Sequence, residues 1–81
     1  MNHQIGEIVC LRNKDHLPKG LVTVPEGHPP WSEDWDIVTT FAPWEVGFVV
    51  DIAHNPKGSL FVKLFTSHGG GWIEGSELTN L

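Results

Sequence analysis

Residues 65–81 read FTSHGGGWIEGSELTNL. How Gly69-Gly70-Gly71 is taken decides the fold. His68-Gly69-Gly70-Gly71 matches, letter for letter, the oxyanion motif of lipases and esterases, where freed backbone N–H groups face a developing oxyanion. That chemistry needs a nucleophile elbow, Gly-x-Ser-x-Gly, and a large α/β sheet; 81 residues contain neither. A phosphate cradle needs Lys and Ser or Thr directly after the glycines, opening a helix. Here Trp72 and Ile73 follow. The remaining reading is a glycine-permitted turn between two short strands, with 72–74 as the second. One turn of 3-10 helix at 75–78 and a last strand at 79–81 complete this end.

Upstream, the chain divides into short β-rich runs. Residues 5–12 (IGEIVCLR) form a strand that ends at Asn13-Lys14-Asp15. Residues 44–52 (WEVGFVVDI) alternate as a strand with one buried face, and Gly47 suggests a bulge or sharp bend. Asn55-Pro56-Lys57-Gly58 is a turn, and 59–65 (SLFVKLF) is the strand that completes a hairpin. Between the first strand and Pro43 lies an irregular stretch holding Pro18, Pro25, Pro29, Pro30 and Pro43, which exclude a long helix. Short strands at 20–24 and 36–41 are conceivable within it, as is a helical turn at 32–35 capped by Ser32. The stretch as a whole, 13–43, reads as one long Pro-rich acidic loop. The expected architecture is a single all-β domain over 1–81: a small five-stranded SH3-like barrel with a long loop after the first strand. An OB-fold would want a helix between its third and fourth strands, and none is visible.

The blocks Gly6-Glu7-Ile8-Val9, then 47–52 (GFVVDI), then Val62-Lys63-Leu64-Phe65 with Gly71-Trp72 and Ser76-Glu77-Leu78 carry a resemblance. They resemble a group of small bacteriophage-encoded SH3-like barrel proteins, most without an assigned function. The likeness covers about half the chain. Phe65 stands where that group often has Trp, and the 13–43 loop is long. The shared motifs describe barrel geometry and imply no active site.

Composition narrows the function. Apolar residues make up 40% of the chain, with four Trp and no Tyr, as in a folded domain. Cys10 is the only cysteine, so no intrachain disulfide forms, and its place in a strand marks it as a small core residue. The N-terminus lacks the pattern of a signal peptide, and no apolar run approaches a bilayer span. A soluble protein of the host cytoplasm or a virion is expected. The net charge is −5, and no Lys or Arg lies between Lys19 and Lys57, where Glu26, Glu33, Asp34, Asp36, Glu45 and Asp51 fall. Nucleic-acid binding is disfavoured, because phosphates call for a basic patch.

No enzymatic constellation emerges. The five histidines, His3, His16, His28, His54 and His68, have no ligand spacing, so no metal or other cofactor is expected. His28 near Glu33, Asp34 and Asp36 is the one cluster worth testing. A carboxylate pair within that loop reads as solvated surface. The tryptophans say more. Trp31 and Trp35 lie in the acidic loop GHPPWSEDWD (27–36), Trp44 opens a strand, and Trp72 follows the glycines. Exposed aromatics dominate binding hot spots. The alternative is a loop folded back with Trp31 and Trp35 lidding a thin core. Eukaryotic SH3 domains bind Pro-rich segments on aromatics that include tyrosines; this chain has Trp and acids in the corresponding loop but no Tyr. The reading is a non-enzymatic protein-binding module, phage-encoded, using Trp31, Glu33, Asp34, Trp35, Asp36, Trp44 and Trp72 as its contact surface. Its partner is a protein, or a second copy through self-association. The alternatives are a structural subunit of a virion or other assembly, and an acidic host-directed inhibitor.

Overall fold

The computed structural model describes residues 3–15 and 17–81. His16, one of the histidines weighed as ligands, lies outside them. Seven strands are present among the described residues: β1 (Ile8–Leu11), β2 (Lys19–Thr23), β3 (Asp36–Phe41), β4 (Gly47–His54), β5 (Leu60–Thr66), β6 (Gly69–Glu74) and β7 (Leu78–Asn80). One turn of 3-10 helix, Gly75–Glu77, joins β6 to β7. All pairings are antiparallel, in the order β3-β2-β6-β5-β4-β1-β7, and the sheet curls into a half-barrel.

Seven strands replace the expected five. The 13–43 segment is not one loop: β2 and β3 form a hairpin inside it. Its prolines flank the strands rather than interrupt them. Pro18 directly precedes β2, Pro25 follows it, and Pro43 comes just after β3. Proline is tolerated at such ends because no ladder N–H is needed there. Residues 32–35 are not helical; Ser32 Oγ instead accepts a bond from the Asp34 N–H at 3.1 Å.

The glycine run is not the turn either. The turn is Ser67-His68, tied by the Thr66 hydroxyl donating to the Gly69 carbonyl at 2.7 Å. All three glycines belong to β6, and two are there for space. A Cβ on Gly70 would stand 2.7 Å from the Leu64 carbonyl oxygen. A Cβ on Gly71 would stand 2.9 Å from Leu21 Cβ and 3.0 Å from the Val22 nitrogen. Gly71 thus lets β2 lie close against β6 where the sheet curls. The expected bulge at Gly47 falls at Val50 instead, where the β4–β5 register shifts. Gly47 is buried against Leu64 and the Phe41 ring. The Asn55–Gly58 turn stands as expected: Asn55 Oδ1 accepts from the N–H groups of Lys57 and Ser59 at 3.0 and 2.8 Å.

The concave face holds the core: Val9, Leu11, Leu21, Phe41, Val49, Val62, Leu64, Ile73 and Leu78. Each large side chain there contributes about 1.5–3 kcal/mol relative to exposure. Cys10 is buried and makes no disulfide. No helix among the described residues is long and apolar enough to cross a membrane.

Candidate functional site

Residues paired across antiparallel strands share a face. Val22 pairs with Trp72, Trp72 with Lys63, and Lys63 with Asp51, a row running β2-β6-β5-β4. The next row is Glu74, Phe61 and Ala53. Val62, Leu64 and Ile73 alternate with these residues and point into the core, so both rows stand on the convex outer face.

The 24–35 loop lies against that face. Pro25 and Pro29 carbonyls accept from the N–H groups of His28 and Ser32, both at 2.9 Å, folding the loop into two successive turns. His28 Nδ1 and Ser32 Oγ, 2.9 Å apart, connect them. Trp31 is thereby set against Phe61, ring centroids 5.9 Å apart and planes tilted by 49°. Trp35, 51% exposed, lines the same groove. Together with Gly20, Val22, Pro30 and Trp72 these residues line a groove of about 310 Å³. Three of the four tryptophans converge there, one half-buried on Phe61, one half-buried in β6 and one exposed.

The charges beside the groove are of one sign along the loop. Glu33, Asp34 and Asp36 are exposed around Trp35, though they do not line the groove, and Glu74 lines it from β6. Lys63, opposite Trp72, is the nearest cation in the sheet register. Trp44 stands apart. It is 81% exposed in the turn that precedes β4, beside Thr39, Glu45 and His68, and does not open a strand. Glu45, at the same turn, accepts from the Ala42 N–H at 2.9 Å, and its other oxygen lies 3.1 Å from His68 Nε2. That approach sets the β5–β6 turn beside the turn before β4.

The His28 cluster has no ligand geometry: His28 Nδ1 faces Ser32 Oγ, with Asp34 Oδ2 3.9 Å away. Among the described residues no group of three or more His, Cys, Asp or Glu side chains is placed to hold a metal ion.

Sequence reasoning missed Phe61, Val22, Pro30 and Glu74 as groove residues. The signal for Phe61 was present. In 59–65, Leu60, Phe61, Val62, Leu64 and Phe65 are apolar on both faces, the mark of a strand covered on both sides.

A scan against protein-family models finds no match, and searches of curated proteins and of solved structures find none either.

Proposed function

We propose that the chain is a non-enzymatic protein-binding module whose contact surface is the Trp31–Trp35–Trp72 groove. The observation that carries this is the convergence of those three tryptophans and Phe61 on the outer face, where the core has no use for them. Rigid aromatic walls supply much contact area at low entropic cost. The acids on the loop select the occupant: a segment of another protein that places Arg or Lys next to apolar side chains. The guanidinium of such a segment meets indole faces and carboxylates together. The SH3-like identity of the barrel and its likeness to phage-encoded members are part of the same proposal, supported by the motif blocks and the curled antiparallel sheet.

The test uses peptides in which arginine alternates with leucine, tryptophan or proline, with glutamate-for-arginine versions as controls. Replacing Trp31 and Trp35 together with Ala is expected to leave the sheet folded by circular dichroism and to abolish binding. If the double variant unfolds, the loop serves as a lid on the fold and the proposal loses its basis.

A further inference from the structure

A second surface lies on the outer face beyond the groove. Ile8 pairs with Phe48 and Phe48 with Phe65, so three large apolar side chains form one row across β1, β4 and β5. They are 51%, 42% and 64% exposed. The row continues to Gly70, which cannot carry a side chain to cover it. Val46 and Glu45 join the three around a shallow concavity of about 370 Å³. Together the apolar side chains expose several hundred Å² of apolar surface, as much as the largest patch of an ordinary monomer. Here it sits on only 81 residues.

We propose that this patch is the interface of a symmetric dimer, its occupant a second copy of the same chain. Charge is the reason. A chain of net charge −5 meets its copy most readily where its carboxylates are turned away or engaged within their own chain. Glu7, beside Ile8, and Glu45, which lines the concavity, are both engaged. Glu7 accepts from the Gln4 N–H and from Asn80 Nδ2, at 2.8 and 3.2 Å, and faces His3. Glu45 accepts from the Ala42 N–H through one oxygen, and its other oxygen lies near His68 Nε2. The acidic loop lies on the other side of the face, over β2 and β6. In the next row of the sheet, Asp51 stands directly across from Lys63. A two-fold contact is reciprocal: where residue i of one copy meets residue j of the other, j of the first meets i of the second. With the axis running along the strands between β4 and β5, Asp51 of one copy meets Lys63 of the other twice over, beside the apolar row.

The experiment is sedimentation velocity with light scattering across a dilution series. The wild type is expected at twice its 9.0 kDa at high concentration, falling to 9.0 kDa on dilution. Phe65→Glu and Phe48→Ser are expected to stay monomeric throughout. Lys63→Glu is expected to weaken the dimer at least ten-fold, and Asp51→Lys with Lys63→Glu to restore it, which decides the matter even where a Phe variant folds poorly. The Trp31/Trp35 double variant keeps the dimer, because the groove is not part of it. A wild type that is monomeric at every concentration overturns the proposal and leaves the patch to a different protein. A dimer that survives both Phe65→Glu and Lys63→Glu overturns it as well.

Discussion

Gly71 shows how one residue type can serve a fold through what it lacks. Its Cβ would collide with Leu21 and Val22 at 2.9 to 3.0 Å, and two of the three nearest atoms are backbone, which cannot rotate away. Gly71→Ala is therefore expected to destabilise the chain by about 2 kcal/mol or more in urea melts, since overpacked cores typically lose 1–3 kcal/mol. Gly27→Ala meets nothing within 4 Å, but its φ of +85° makes it unfavourable for a different reason. His3 is a second case. Its ring is buried between the Gly75 carbonyl and Asn80 Oδ1, at 3.1 and 3.2 Å. His3→Ala leaves the buried Gly75 carbonyl without its ring partner and is expected to cost about 1–3 kcal/mol in the same assay. Neither role is readable from a run of glycines or a histidine near a terminus. Both depend on strands distant in sequence.

At the scale of elements, the β4–β5 hairpin is where local chemistry governs. Asn55 Oδ1 organises two backbone N–H groups of the turn, and Gly58 supplies a φ of +91°. Asn55→Ala is expected to cost about 1 kcal/mol by removing both bonds, measured as a shift in urea midpoint without a change in slope. The hairpin, its turn, the 3-10 turn and Cys10 in the core were legible because the signals lie within a few residues. The β2–β3 hairpin was visible as two β-rich runs, yet the prolines between them argued for one loop. What settles its place is long-range: Val22 pairs with Trp72, fifty positions on. The glycine turn was misplaced for a similar reason. Gly-Gly-Gly permits a tight turn, but it equally permits close approach of a neighbouring strand, and only the β2 contact distinguishes them. At the site, the acidic Trp-bearing loop was legible from composition. The joining of Trp72 to it, and the separation of Trp44 from it, follow from the order in which strands pair.

On the scale of the whole molecule, a small sheet has one face for its core and one for everything else. A domain of this size cannot cover both. The outer face is divided by the row holding Lys63. On one side lies an aromatic groove beside acids, on the other an apolar row with Glu45 at its edge. The two surfaces differ in charge and therefore in partner. Peptide binding in the groove is expected to weaken with added salt, as cationic ligands of acidic surfaces do. The four indole N–H groups make the most direct test of the groove. Their two-dimensional NMR resonances would be followed while an arginine- and leucine-bearing peptide is added at fixed protein concentration. The expected result is that Trp31, Trp35 and Trp72 shift together and saturate, while Trp44 stays in place. Movement of Trp44 alone, or no movement with any of the arginine peptides, would contradict the assignment of the groove as the binding site.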